Sequence, residues 1–157
     1  MDEPENYEAR SNLMWASTVA LNHILTAGKG GAWSVHPIEH VLSGFYDITH
    51  GIGLAILTPV WMEYVLKDEN KHRFARYARE VFGVDEQDDM HAAKQGIESL
   101  KMFFGDLKMP SKLSQVGIDD RKFRLIAKEA VRTSGISTRA YVKLTEDDVE
   151  NILRGCR

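Results

Sequence analysis

Three of the chain's six histidines, His36, His40 and His50, fall within fifteen residues of one another. His36 and His40 are four apart, so on a helix both imidazoles lie on one face. That spacing can hold one metal ion, or one metal with a proton-handling group beside it. His50 follows a helix break at Asp47-Ile48-Thr49. A chain that turns there brings His50 back toward His36 from a neighbouring helix, as metal sites in helical bundles require. The plainer alternative is a hydrogen-bonded pair of core histidines, and spacing alone leaves both open.

His36-x-x-Glu39-His40 also fits the H-x-x-E-H pattern of inverted zinc peptidases, in which two histidines hold zinc and the glutamate activates water. Such a site needs a further acidic ligand. Glu80 and Glu98 are the candidates, and nothing in their surroundings singles them out.

The elements that would position these residues have helical rhythm almost throughout. Tyr7, Leu13, Met14, Leu21, Ile24 and Leu25 predict a helix that follows Pro4 and stops near Gly28, at the flexible run Gly28-Lys29-Gly30-Gly31. A second helix over about 32–45 carries His36 and His40, with Pro37 in its first turn. A third runs from His50 to Leu66, with a kink expected at Pro59. Phe74, Tyr77, Ala78 and Phe82 then form one stripe over Lys71 to Phe82. Opposite it, Lys71, Arg73, Arg76 and Arg79 read as the wet face.

Asp88 to Leu107 predicts another long helix with Ile97, Leu100, Phe103 and Phe104 inward. It ends at Met109-Pro110, and Ser111 to Val116 allows one short turn. Asp119 to Arg132 places Phe123, Ile126, Ala127 and Ala130 on one side. Thr145-Glu146-Asp147-Asp148 forms a capping box, with Asp in the Glu position, before a last helix through Val149, Ile152 and Leu153. No segment alternates with period two. The fold class expected is all-α, a multi-helix bundle.

At 157 residues, 43% apolar and 27% charged, the chain suits one globular domain, 1–157. A net charge of -3 with scattered basic residues gives no field for nucleic acid. The most apolar stretch, Gly51 to Met62, is too short to span a bilayer, so no membrane partner is expected. The single Cys156 excludes an internal disulfide and suits a reducing compartment. The acidic N-terminus is unlike a targeting segment, and a cytoplasmic location is expected.

His36-Pro-Ile-Glu-His40-x-Leu42-Ser43-Gly-x-Tyr46-Asp47-x-x-His50-Gly51-x-Gly53-Leu54-Ala55-Ile56-x-x-Pro59 closely resembles the signature of iron-containing (group III) alcohol dehydrogenases. The branch it is most similar to is that of butanol dehydrogenases and aldehyde reductases. Tyr7 to Ser17 resembles the helix that precedes the signature there. Pro110-Ser111-Lys112-Leu113-x-x-x-Gly117-Ile118 and Leu144 to Leu153 resemble its closing segments. The resemblance therefore covers essentially the whole chain.

By that resemblance, His36 and His50 match the two histidines that bind the catalytic divalent metal, Fe2+ or Zn2+. His40 matches a catalytic histidine beside it, assigned to the substrate pocket or to proton transfer. Asp47 would either accept a hydrogen bond from a ligand's other ring nitrogen or cap the helix that starts near His50. Trp33, Phe45 and Tyr46 read as core rather than pocket wall. The implied reaction is reversible hydride transfer between NAD(P)H and an aldehyde or alcohol, and self-association is compatible with the family.

Two family features have no counterpart in register. The family's remaining ligands are an aspartate and a histidine four residues apart, upstream of the Tyr7 segment. The one such pair here, Asp68 and His72, lies downstream of His50 and reads as exposed helix-end residues. Gly28 to Gly31 follows a helix rather than a strand, so it does not form a phosphate cradle. The expectation is a metal-binding helical domain that lacks the N-terminal dinucleotide-binding domain and is inactive alone. A non-catalytic helical interaction or oligomerisation module is the rival from another class.

Overall fold

The computed structural model describes residues 3–28 and 31–157, whose contacts divide into two units at Gly31 and Ala32. Seven α-helices and three short 3-10 turns, with no strand, make up the described residues. The all-α expectation is met.

The first unit holds α1 (Tyr7–Leu21) and a 3-10 turn at Ile24–Thr26. The Asn6 side chain caps α1 by accepting from the Ala9 N–H at 2.9 Å. The helix stops at Leu21, short of Gly28, because Asn22 closes it and His23 takes a left-handed φ of 65°. No side chain of α1 is buried; Tyr7, Met14 and Trp15 are 85%, 73% and 68% exposed. Lys29 and Gly30 of the expected break lie outside the described residues.

The second unit contains the core and every candidate site residue. It opens with α2 (Val35–Tyr46) and α3 (His50–Val65). Pro37 is the third residue of α2, where its missing N–H costs no intrahelical bond. Residues 32–34 do not join α2; Ala32 instead forms an isolated parallel bridge with Ala140. Asp47 ends α2 at a left-handed φ of 50°, its N–H donating to the Ser43 carbonyl at 2.8 Å. That sharp exit is what lets α3 start three residues later.

α3 is the central helix. Gly53, Ala55, Ile56, Leu57, Pro59, Met62 and Val65 are all buried, and they lie around most of its circumference. It runs on through Pro59, whose ring nitrogen cannot donate to the Ala55 carbonyl.

α4 (Lys71–Phe82) and α5 (Asp89–Asp106) pack as an antiparallel pair. They come close at Gly96, where a Cβ would stand 2.4 Å from the Ala78 Cβ. On α4, Arg79 departs from the wet-face expectation. Its half-buried guanidinium donates to the Glu86 and Gln87 carbonyls and pairs with Asp89 at 2.8 Å, which ties the α4–α5 loop to its helix. Phe103 also departs: it is 49% exposed, while Ile97 and Leu100 are buried and Phe104 is half-buried. Phe103 sits roughly 120° around the helix from Ile97, whereas Leu100 and Phe104 follow Ile97 by three and seven residues.

After a 3-10 turn at Leu113–Val116, Asp119 caps a second one at Asp120–Lys122 that leads into α6 (Phe123–Thr133). α6 packs on α2 and on α7 (Glu146–Gly155). Phe123, Ile126, Ala127 and Ala130 are buried as the sequence pattern requires. The capping box at α7 forms as read: Thr145 Oγ1 accepts from the Asp148 N–H, and Asp148 Oδ2 accepts from the Thr145 N–H at 2.7 Å. Replacing Thr145 with alanine leaves the Asp148 N–H without its side-chain acceptor, and a loss of about 1 kcal/mol is expected in urea unfolding. Cys156, next to α7, is buried, and burial pushes its thiol up to about 12, so it stays a neutral thiol.

No helix among the described residues is long and apolar enough to cross a membrane.

Candidate metal centre

α2 and the first turn of α3 converge on the three histidines. The ring centroids of His36 and His50 are 5.3 Å apart, those of His40 and His50 5.1 Å, and those of His36 and His40 6.1 Å. The i,i+4 pair therefore shares a helix face, and the left-handed turn at Asp47 folds His50 back onto it. The Trp33 ring centroid lies 4.3 Å from that of His36. Burial, together with the neighbouring His50 and His40, lowers the pKa of His36, so its imidazole stays neutral to lower pH than an ordinary histidine. A neutral imidazole is the form that can donate a lone pair to a metal.

Beneath the rings sits Glu39, which is fully buried. One carboxylate oxygen is in contact with His50 Nδ1 and the other with the Ser43 hydroxyl. The Ser43 oxygen is also 3.1 Å from the Ile48 carbonyl. Ligand atoms of Glu39, His40 and His50 come within 4.8 Å of one another. Among the described residues, the ion-pair partner of Glu39 is His50. A carboxylate taken wholly out of water needs a positively charged or strongly polarised partner. A divalent ion held by His50 would polarise that imidazole, and the imidazole nitrogens of His36 and His50 suit iron or zinc, although His36 is not one of the three residues whose ligand atoms lie within 4.8 Å of one another. The donor set therefore fits such a metal.

The structure changes several readings of this region. Glu39 does not present a free carboxylate to water, which removes the general base that the peptidase pattern needs. Glu80 and Glu98 are exposed on α4 and α5, and Glu98 pairs with Lys101 at 2.9 Å; neither belongs to the cluster. Asp47 closes α2 through its backbone and does not cap α3, whose N-cap is Thr49; the acceptor on His50 Nδ1 is Glu39.

Trp33 and Phe45 are 39% and 37% exposed, so they are not core. Tyr46 is half-buried, and the Lys122 ammonium stands over the Phe45 and Tyr46 rings at 5.2 and 5.1 Å. Asp68 and His72 are exposed as expected, with Asp68 3.0 Å from Lys71.

The model of the C-terminal region of the Fe-containing alcohol dehydrogenase family matches residues 1–156. The chain belongs to this family. Within the family it is 47% identical, over 98% of its length, to the NADH-dependent butanol dehydrogenase A of Clostridium acetobutylicum. It is 33% identical, over 82% of its length, to the NADPH-dependent aldehyde reductase YqhD of Escherichia coli.

Among solved structures, the NADH-dependent butanol dehydrogenase A of Thermotoga maritima superposes with a TM-score of 0.86 at 35% identity, covering 98% of this chain. Escherichia coli YqhD does so with a TM-score of 0.88 at 29% identity, covering 99%. The chain spans about 40% of the length of the Clostridium relative and of both structures, and 33% of the curated YqhD sequence.

Proposed function

We propose that residues 1–157 form the metal-binding helical domain of an NAD(P)-dependent alcohol dehydrogenase or aldehyde reductase. In this reading His36 and His50 supply two ligands to Fe2+ or Zn2+, and His40 is the catalytic histidine beside them. The observation that carries it is the convergence of three imidazoles from two helices over one buried carboxylate. The other two ligands, and the site for NADH or NADPH, are assigned to a segment outside these 157 residues. The relatives are named for both dinucleotides and for both alcohol and aldehyde substrates.

When bound, the metal would act as a Lewis acid toward a carbonyl or alcohol oxygen, and the dinucleotide would supply or take the hydride. His36 contributes a neutral nitrogen because burial and its histidine neighbours disfavour its protonated form. His50, with Nδ1 turned to Glu39, keeps Nε2 for ligation. His40, exposed at the mouth of the cluster, orients the substrate oxygen or passes a proton to it as hydride arrives at carbon.

The isolated chain is expected to bind Zn2+ loosely and to show no reduction of butyraldehyde by NADH or NADPH. Metal-dependent turnover by the 157 residues alone would overturn the placement of the dinucleotide site elsewhere. Complete failure to bind a divalent ion would favour the rival reading, a helical interaction module. The observation on that side is α1, on which Tyr7, Leu13, Met14, Trp15 and Leu21 are exposed.

A further inference from the structure

The buried carboxylate under the histidines has no role in the reading above beyond its contact with His50. We infer that Glu39, locked by Ser43 and admitted by Gly53, is the positioning residue that fixes the tautomer and ring orientation of His50. The inference rests on the proposed metal-binding role of His50.

Three observations support it. Glu39 is fully buried and two-handed, with one oxygen on His50 Nδ1 and the other on the Ser43 hydroxyl. A carboxylate held this way accepts a proton bond from Nδ1–H, so the proton resides on Nδ1 and the lone pair on Nε2. Ser43 is one helical turn beyond Glu39 on α2, so the lock is local and does not depend on a distant element. Gly53 is the third component. A Cβ there would lie 2.6 Å from Glu39 Oε1, 2.7 Å from its Cγ and 3.0 Å from its Cδ. Any larger residue at 53 must displace the carboxylate, so the glycine on α3 provides the space in which Glu39 reaches His50.

The arrangement also accounts for the polarity of an otherwise apolar contact. α2 and α3 pack on one another, and Ile38, Leu42, Ile56 and Leu57 of these helices are buried. A carboxylate among them is costly unless it does something that an apolar side chain cannot. Orienting a metal ligand is such a task, and loss of an outer partner of this kind typically weakens metal binding by about ten- to a hundredfold.

The test uses the 157-residue chain labelled with 15N-histidine, read by long-range 1H–15N correlation without metal, with the pH raised until the spectrum shows a neutral His50 ring. Wild-type His50 is expected to carry its proton on Nδ1. Glu39→Ala is expected to move it to Nε2, the tautomer that water favours, and to raise the Kd for Zn2+ by about ten- to a hundredfold. Glu39→Gln keeps the shape and offers a carbonyl to Nδ1–H. It should retain the tautomer and lose less affinity than alanine does. Gly53→Ala should shift the tautomer part of the way with Glu39 present, and have no effect on it once Glu39 is alanine.

An unchanged His50 tautomer in Glu39→Ala overturns the inference, as does unchanged Zn2+ affinity. So does a Co2+ absorption spectrum in Glu39→Gln that shows loss of an oxygen ligand, because Glu39 would then bind the metal itself. If removing His36 and His50 leaves Zn2+ binding intact, the metal reading fails instead. The tautomer measurement is made without metal and distinguishes that case.

Discussion

Replacing His36 and His50 together by alanine is expected to weaken Zn2+ or Co2+ binding by at least about a hundredfold. Removing a single outer-shell partner already costs about ten- to a hundredfold, and two direct ligands contribute more than that. A hundredfold change corresponds to about 2.8 kcal/mol. The fold should survive, because His50 is exposed and His36 half-buried at the helix surface. Isothermal titration with Zn2+ gives the affinity, and far-ultraviolet circular dichroism confirms the helices. His72→Ala serves as the control, since His72 is exposed on α4 and outside the cluster. His40→Ala separates the roles. If His40 only handles the substrate or its proton, metal binding stays close to wild type. A loss as large as that of the double variant would make His40 a ligand and His36 the neighbour.

Phe123→Ala should be the most destabilising single change outside the site. Phe123 opens α6, is fully buried, and belongs to the same cluster as Ile38, Leu42 and Ile126. Truncating a buried phenylalanine typically costs about 3–5 kcal/mol, from lost transfer energy and the cavity left behind. Against a total of roughly 5–15 kcal/mol for a small domain, that is a large fraction of the stability. The matched comparison is Phe103→Ala on α5, whose ring is 49% exposed. It should cost less than about 1 kcal/mol. Urea unfolding followed at constant m gives both values. Equal losses at the two positions would mean that Phe103 is covered in solution.

Phe103 and Phe123 illustrate where periodicity is informative and where it stops. Both stand in helices whose apolar spacing is legible in the sequence, and the helices form where that spacing puts them. For Phe123 the stripe of Ile126, Ala127 and Ala130 follows at three, four and seven, so its face was unambiguous. Phe103 and Phe104 are adjacent, and about 100° separates them on the helix. The stripe cannot include both fully: Phe104 continues the row of Ile97 and Leu100, and Phe103 falls outside it.

Termini followed the same division. The Thr145–Asp148 box marks the start of α7 in four consecutive residues because a cap is a local hydrogen-bond problem. The end of α1 at Leu21 depends on a left-handed His23, which spacing does not announce.

For the candidate site, the sequence made visible which side chains share a helix face. His36 and His40 lie four apart on α2, and a turn at Asp47 is enough to return His50 toward them. The contact between Glu39 and His50 was not visible in this way. It joins residues eleven apart on different helices, and it depends on how closely α2 approaches α3. Glycine at 53 permits that approach, yet the same glycine in a sequence row looks only like a weak helix former. Residue types and helical period are local properties, and they specified the histidine face, the caps and the amphipathic stripes. Which buried carboxylate meets which imidazole, and which aromatic ring stays wet, depends on the distance and rotation between helices. Those are set by the packing of the whole core, so they appear only once the chain is folded.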